Sequence, residues 1–417
     1  MKIRKCSQAD EKDIRALWSY CFEREDDPWF RWYFRELYRP EEVLAGEEEG
    51  KMACNLHRRP YEIFLRGARL PVDYLVGVAT HPAARGKGFA AELIRGAFHM
   101  ARLENKGAVL LMPSAASYYY PMGFSFYAHQ WKRSASPENL SVLAKRAHSV
   151  GTVTSADEWK ILASVYDGYV KGRNGWTFRD EESWKKHMDA QFCDGGYIAV
   201  VNDRDSAAGY IFYHLDGRKL IVSEMAYTSD AGRKGLYAYM AGHRGSVEEC
   251  IWHEPFDDRA FFYWQDGAEH TYIHNATFPT MMGRVTDPVM AFDGLSCREM
   301  KGFLSFHLTD EFLPENSGIY VLSTENGKIR AMKYDVFYTL KLHIEDISGV
   351  KLGNKIPEPS FTITAGALSQ LFFGALSLRE LADMGRIEWL EGAKREKVLA
   401  TAEEMLPAQK NWINEWY

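Results

Sequence analysis

Val76-Gly77-Val78-Ala79-Thr80-His81-Pro82-Ala83-Ala84-Arg85-Gly86-Lys87-Gly88-Phe89-Ala90-Ala91-Glu92-Leu93-Ile94 carries the fold of this 417-residue chain in miniature. Tyr74 to Ala79 is a short apolar run, as expected of a buried strand. Pro82 and Gly86 interrupt it. From Phe89 the apolar residues return at helical spacing, at Phe89, Leu93, Ala97 and Met100. The stretch therefore reads as a strand, a tight basic turn and a helix. Gly86 and Gly88 lack side chains, so backbone N–H groups in the turn can approach a ligand closely. They open a helix whose first N–H groups are unpaired and whose dipole favours an anion. Arg85 and Lys87 add full positive charge. A phosphate or pyrophosphate is the simplest ligand for such a turn, although its spacing is neither that of a Walker A loop nor that of the G-x-G-x-x-G dinucleotide turn.

Working outward, Ile3 to Cys6 reads as a strand and Gln8 to Trp18 as a helix with Ser7 at its N-cap. Phe22 to Phe34 places a carboxylate cluster, Glu23, Glu25, Asp26 and Asp27, beside several aromatics. Two readings of it stay open. One is an amphipathic helix with an acidic first turn. The other is a wall for a polyamine, formed by Asp26, Asp27, Trp29 and Trp32 through ion pairing and cation–π contact. Met52–Leu65 and Ala68–Ala79 read as strands. Ala108 to Met112 is a further buried strand, leading through Pro113-Ser114-Ala115-Ala116-Ser117 into Tyr118-Tyr119-Tyr120-Pro121-Met122-Gly123-Phe124.

The deciding stretch has a second copy. Met225-Ala226-Tyr227-Thr228-Ser229-Asp230-Ala231-Gly232-Arg233-Lys234-Gly235-Leu236-Tyr237 aligns without gaps on Val78 to Ala90, at a constant offset of 147 residues. Tyr197–Val201 and Ala208–Tyr213 precede it as a hairpin. A second domain of the same fold is expected. In this copy Arg85 is replaced by Gly232 and Ala90 by the bulky Tyr237, so it is expected not to bind the same ligand. From about Asp287 the pattern changes. A hairpin is expected around Glu325-Asn326-Gly327, then a strand at Ser360–Thr364 and helices at Ala367–Phe373 and Leu378–Asp383.

Composition narrows the function classes. Hydrophobic content of 46% and charged content of 26% are those of a soluble globular chain of two to four domains. A net charge of −6 argues against nucleic acid as the main partner and favours a cationic substrate. The six cysteines, Cys6, Cys21, Cys54, Cys193, Cys250 and Cys297, are scattered, with no zinc spacing; no metal is expected, and free thiols in a reducing cytoplasm are. The first residues lack the apolar core of a signal peptide, and no run of about 18 apolar residues suggests a membrane span.

Arg85-x-x-Gly88-x-Ala90 resembles the R-x-x-G-x-[GA] pyrophosphate motif of the GNAT acetyltransferases, and Tyr119 to Phe124 is similar to the Y-x-x-x-G-F segment that follows it in that family. Two such domains, the second degenerate, followed by a strand–helix module ending in aromatics, resemble the Eis-like (enhanced intracellular survival) acetyltransferases over the whole chain. The resemblance implies an α/β (α+β) fold of tandem GNAT-like domains with a C-terminal sterol-carrier-protein-like α/β domain. The boundaries would be 1–147, 148–286 and 287–417. It implies acetyl-CoA as co-substrate, held by Val76, Val78 and Ala79 of the strand, by Arg85, Gly86, Lys87, Gly88, Phe89 and Ala90 of the turn, and by Ser114. It implies transfer of acetyl to primary amines of a polycationic small molecule such as an aminoglycoside or polyamine, contacted by Asp26, Asp27, Trp29 and Glu415. A protein or peptide lysine acetyltransferase, and a non-catalytic acyl-CoA sensor or lipid carrier, are the competing expectations. The resemblance also implies a homo-oligomer, with hexamers frequent in the family. It gives the terminal carboxylate, here that of Tyr417, the role of base. The family's acid tyrosine falls on Phe124, so Tyr119 is the first candidate acid, with Tyr120 and Tyr127 in reserve. A phenol suits that role because amine attack on a thioester expels a thiolate that must be stabilised or protonated.

Overall fold

A computed structural model describes residues 1–147, 149–263, 273–300, 302–334 and 358–416. Contacts divide the chain into two compact units. The first holds Met1–Cys21, Arg39–Ala128 and Thr280–Tyr417, and the second Phe22–Tyr38 and His129–Pro279. The three-segment division at 147/148 and 286/287 remains a proposal beside this grouping.

In the first unit, strands β1 (Lys2–Lys5), β2 (Val43–Glu48), β3 (Lys51–Leu65), β4 (Ala68–Thr80) and β5 (Ala108–Leu111) lie side by side in that order. The β1–β2, β2–β3 and β3–β4 pairs are antiparallel and β4–β5 is parallel. Met282–Val285 pair antiparallel with β5 on its far edge. Helix α1 (Glu11–Cys21) belongs to this unit, whereas α2 (Pro28–Glu36) belongs to the other. The Asp10 carboxylate accepts the Ser7 N–H at 2.7 Å just before α1, in keeping with the expected cap. Helix α3 (Phe89–Leu103) turns a stripe of Phe89, Leu93, Ile94, Ala97, Phe98 and Ala101 inward, the spacing that the sequence showed. That stripe packs with Leu56, Leu75 and Val109 on one face of the sheet. Because strand residues alternate sides, Tyr74 and Val76 enter a different core with Leu110, Tyr127, Phe373 and Ile413.

Charged groups pin β3, β4 and the end of α3 together. Asp73 receives Arg58 Nε at 2.7 Å and Lys106 Nζ at 2.6 Å. Arg58 and Lys106 also reach Glu104, at 2.5 and 2.9 Å. Burial opposes ionisation of Glu104, but these two partners outweigh it and hold its carboxyl down at about 2.

The C-terminal part of this unit forms a five-stranded sheet in the order Lys328–Tyr334, Gly318–Glu325, Phe303–Thr309, Phe361–Thr364, Ile387–Trp389. Its first hairpin closes through Asn326 and Gly327, both in the left-handed region at φ 53° and 70°, as a two-residue turn requires. Helices Ala365–Phe373 and Leu378–Asp383 lie where the sequence suggested. Arg66 joins the parts: its buried guanidinium donates to the carbonyls of Leu371, Phe372 and Pro407 at 2.7, 2.8 and 2.9 Å. Arg284, fully buried, bonds Asp310 at 2.5 Å and the Met122 carbonyl at 2.8 Å.

The second unit repeats the plan. β6 (Ser125–Ala135), whose residues from His129 on belong here, pairs antiparallel with Glu249–Pro255. That strand runs parallel to Lys219–Tyr227, and Ser206–Asp216, Tyr197–Asp203 and Ser149–Val153 follow antiparallel. One parallel pair at the end of an antiparallel ladder is the pattern of the first unit, as the 147-residue offset foretold. Among the described residues no helix is long and apolar enough to cross a membrane, and no cluster of three or more His, Cys, Asp or Glu side chains could hold a metal ion. The six cysteines are free thiols, with Cys6, Cys54 and Cys250 buried.

Candidate active site

The site begins where two strands part. β4 and β5 are joined by the rungs Asp73–Val109 and Tyr74–Leu110, and β4 then continues to Thr80 with no further rung to β5. On its other edge, β4 meets β3 with a register shift: Asn55 faces Ala79 and His57 faces Val76. Leu56 is thus opposed by both Gly77 and Val78, which is a β-bulge. Gly77 adopts φ 58°, a left-handed conformation that glycine adopts without a side-chain clash. The bulge turns backbone N–H groups out of the ladder beside the open edge, where they can hold a carbonyl oxygen. Val76 and Ala79 are buried and Val78 half-buried.

The turn follows. Gly86 and Gly88 have φ 78° and 79°, and a Cβ added at either would meet nothing within 4 Å. Helix α3 starts at Phe89 with Gly88 at its N-cap and no side chain capping it. Among the described residues no N-cap side chain bonds its first N–H groups, and Arg85, Gly86, Lys87 and Gly88 are all exposed. Arg85 Nε donates to the Thr80 carbonyl at 3.2 Å, and Lys87 pairs with Glu48 at 2.8 Å. An exposed ion pair of that kind is worth roughly 0–1 kcal/mol and is readily given up to a polyanion. Phe89 is buried, Ala90 half-buried and Ser114 exposed on the segment after β5.

Four tyrosines stand nearby in sequence. Tyr118 and Tyr120 are exposed, and Tyr119 is half-buried, its ring edge-on to Phe124 at 5.8 Å. Burial, then the neighbouring Tyr118, pushes the Tyr119 hydroxyl up to about 12. Phe124 itself is 1% exposed and packs on Phe98, so position 124 serves the core. Tyr127 is buried and stacks on Phe373 at 4.3 Å, and its hydroxyl has no hydrogen-bond partner among the described residues.

The end of the chain comes to the same unit. Asn411 donates to the Tyr127 carbonyl at 2.8 Å, and the Tyr74 hydroxyl donates to the Glu415 carbonyl at 2.9 Å. Trp412 to Glu415 are buried. Tyr417, the expected base, lies outside the described residues.

Asp26, Asp27 and Trp29 belong to the second unit. Asp27 caps α2, accepting the N–H groups of Trp29 at 2.8 Å and Phe30 at 3.3 Å. Asp27 thus sits at the N-cap, ahead of a first turn that holds no acidic residue. Trp29 stacks on Tyr33 at 5.3 Å, Trp32 is buried and Asp26 is exposed. Gly77 and Tyr74 were not singled out in the sequence; a glycine inside an apolar strand is the available signal for a bulge.

The repeat in the second unit is closed by its own residues. Ser229 caps helix Asp230–Ala241 by accepting Gly232 N–H at 3.1 Å. Gly232, in the place of Arg85, is packed so tightly that a Cβ would lie 2.1 Å from the Ala208 carbonyl oxygen. Arg233 and Lys234 are paired with Asp230 at 2.8 and 2.7 Å. Tyr237, in the place of Ala90, is buried and donates to Glu254 at 3.0 Å. Glu224, in the place of Gly77, is held by Arg179 at 2.8 Å and by the Tyr210 hydroxyl at 2.5 Å.

Residues 2–127 match the family profile described as Acetyltransferase (GNAT) domain, residues 175–285 match another profile of the same description, and residues 291–414 match that of the sterol carrier protein domain. Among solved structures, the chain is similar to a GCN5-related N-acetyltransferase from Anabaena variabilis, with 18% identity, TM-score 0.80 and 100% of both chains covered. It is similar to a GCN5-related N-acetyltransferase from Kribbella flavida, with 15% identity and TM-score 0.76, covering 100% of this chain and 98% of that one. Eis1 from Mycobacterium abscessus also shares the fold over 100% of both chains, with 13% identity and TM-score 0.72. No curated protein matches the sequence.

Proposed function

The chain belongs to the GNAT N-acetyltransferases, and on that premise we propose that it moves acetyl from acetyl-CoA to a primary amine of a polycationic small molecule, aminoglycoside- or polyamine-like, by direct attack in a ternary complex. The observation that supports this most is the contrast between the two repeats. In the first unit a helix start without a side-chain cap follows exposed glycines, whereas in the second the helix is capped by Ser229 and Gly232 is packed against the Ala208 carbonyl.

The residues suit the co-substrate. The N–H groups from Gly86 to Ala90, with Arg85 and Lys87, match a pyrophosphate. The free edge at Val76, Val78 and Ala79 suits the amides of the pantetheine arm, which would pair as an added strand; Ser114 completes this set. Acetyl-CoA supplies an activated thioester. The N–H groups at the Gly77 bulge would hold its carbonyl oxygen as negative charge develops there. The amine nitrogen forms a bond to the carbonyl carbon, the carbon–sulfur bond breaks, and the thiolate leaves. A substrate ammonium loses two protons over the reaction, one to the sulfur and one to solvent. Tyr119, at about 12, is a weaker acid than a thiol of ~8.5. It would therefore steady the thiolate by a hydrogen bond rather than hand over its proton outright.

For the proton acceptor, what supports the carboxylate at Tyr417 is the burial of Trp412 to Glu415 against Tyr74 and Tyr127, one rung from the strand opening. Glu415 adds a buried acidic residue that favours a cationic substrate, as does the net charge of −6.

The test is thiol release from acetyl-CoA with aminoglycosides, polyamines and lysine peptides, on the full chain and on one lacking Tyr417. Turnover with polycationic amines that collapses on the deletion is expected. Turnover confined to lysine peptides would refute the substrate class. Tight acetyl-CoA binding without turnover on any amine would favour the sensor or carrier.

A further inference from the structure

The last buried stretch of the chain runs alongside the strand that opens the site. Its start is held at the turn before β4, where Arg66 donates to the Pro407 carbonyl at 2.9 Å. Midway, Asn411 donates to the Tyr127 carbonyl at 2.8 Å. Its end is held by β4 itself, where the Tyr74 hydroxyl donates to the Glu415 carbonyl at 2.9 Å. From 66 to 74 and from 407 to 415 the two segments advance by the same number of residues, so this strap follows β4 toward the opening at Val76 to Ala79. Tyr74 is the last residue of β4 with a rung to β5. Its ring is 1% exposed and meets Tyr61 edge-on at 5.6 Å and 62°. The strap is buried from Trp412 to Glu415, and at Trp416, 38% exposed, the chain emerges. The Tyr74 bond therefore stands where the chain leaves the core.

We propose that Tyr74 is a positioning residue for the proton acceptor: by fixing the peptide group of Glu415, it sets how far the two residues beyond it reach along β4. This rests on the reading above that the carboxylate at Tyr417 takes the proton. Tyr74 acts through the strap and not on the reacting atoms. The physical basis is registration. A hydroxyl on the strand that carries the bulge measures the strap against that strand. One residue of extended chain spans about 3.3 Å, and a carboxylate displaced by that much is out of hydrogen-bond reach of the amine. The phenol is locked between β4 and Tyr61, so it loses little freedom in making the bond.

The experiment compares wild type, Tyr74→Phe, a chain lacking Tyr417 and the double variant. It measures kcat and KM by thiol release with spermidine as the amine, and the Kd of acetyl-CoA by titration calorimetry. Tyr74→Phe keeps the ring and removes only the hydroxyl. It is expected to lower kcat roughly 10- to 100-fold, leaving the amine KM and the acetyl-CoA Kd unchanged. In the chain lacking Tyr417 the same substitution should lower kcat by less than about twofold further, because two groups that act as a unit are not additive. Where deletion of Tyr417 collapses turnover, equal losses from Tyr74→Phe in both backgrounds, or a Tyr74→Phe enzyme with wild-type kcat, overturn the proposal and leave the acceptor standing. Deletion of Tyr417 without loss, or a wild type without turnover, overturns the acceptor reading and the proposal with it. A second variant keeps every bond of the strap and changes only its reach. One glycine inserted between Glu415 and Trp416 should lower kcat as far as the deletion does, and wild-type kcat there overturns the proposal even if Tyr74→Phe does not fold.

Discussion

Replacing Gly77 by alanine tests the site at its narrowest point. Two costs add. Holding an L-residue at φ 58° costs roughly 1–2 kcal/mol. Forcing a methyl group to within 2.2 Å of the Trp18 ring is an overpacking of a fixed side chain, for which about 1–3 kcal/mol is typical. Together they come to about 2–5 kcal/mol, enough to lower the melting transition by several degrees. The chain can escape part of this by straightening β4 into regular register with β3. That returns the bulge N–H groups to the ladder and removes the carbonyl donor, at a cost of about 10²–10³ in kcat. Adding Trp18→Ala to Gly77→Ala should restore the steric share, about 1–3 kcal/mol, and leave kcat low. The assays are scanning calorimetry and thiol release with saturating amine. A Gly77→Ala protein with wild-type melting and wild-type kcat would refute both the bulge as oxyanion site and the tight seat of the Trp18 ring on Gly77.

Arg85→Ala should weaken acetyl-CoA binding by about 10- to 150-fold, the loss of a charged hydrogen bond of roughly 1.5–3 kcal/mol, whereas Glu48→Gln, by freeing Lys87, should tighten it up to about fivefold at low salt; titration calorimetry reads both. The same titration should give one acetyl-CoA per chain, and Tyr237→Ala should not add a second, because Ser229 still caps that helix. Tyr119→Phe should lower kcat by about 10- to 150-fold with little change in acetyl-CoA affinity, and an unaltered kcat would remove Tyr119 from the mechanism. Burial, then Arg59, lowers the His57 ring to about 3 from an unfolded value near 6.5. Its contribution is therefore whole above pH 6.5 and is lost as pH falls toward 3, at up to about 1.4 kcal/mol per pH unit. Urea midpoints at pH 7 and pH 5 should show that slope in wild type and a shallower one in His57→Gln.

Local features were legible because local physics makes them. The two turn glycines adopt positive φ, the apolar stripe of α3 faces the core, and the Asn326-Gly327 hairpin closes where its residue types require. The rest depends on partners distant in the chain. Tyr74 meets Glu415 across 341 positions, and Tyr127 meets Asn411 across 284. No periodicity encodes those pairings. Gly77 was visible as a glycine in a strand, but its meaning needed the register of β3 and the position of an indole 59 residues earlier. The Asp27 carboxylate shows the converse difficulty. Its composition and neighbours suit a cation, and only the geometry shows it capping α2.

The two repeats show what separates a binding turn from a structural one. Both have strand, turn and helix in the same order, and both keep two adjacent or near-adjacent basic residues. In the second, a serine oxygen accepts a helix N–H, aspartate neutralises the basic pair, and Tyr237 and Glu224, bonded to Glu254 and Arg179, stand in the places of Ala90 and Gly77. A buried polar group without a partner is costly, so once these residues are present they must find one another, and the site closes on itself. In the first repeat small residues stand where those partners would be. Its helix start has no side-chain cap, and its exposed basic residues are held by the Thr80 carbonyl and by Glu48, so both can turn to a ligand. That remaining capacity, rather than the fold common to both repeats, is why we propose acetyl-CoA binding at residues 76–90 and not at their copies at 223–237. Installing the cap alone is the sharpest trial of this argument. Gly88→Ser introduces a hydroxyl at the open N-cap, at φ 79° with no atom within 4 Å to resist it. It should cost about 1–2 kcal/mol in backbone strain and weaken acetyl-CoA more than free adenosine, and equal effects on the two ligands would contradict it.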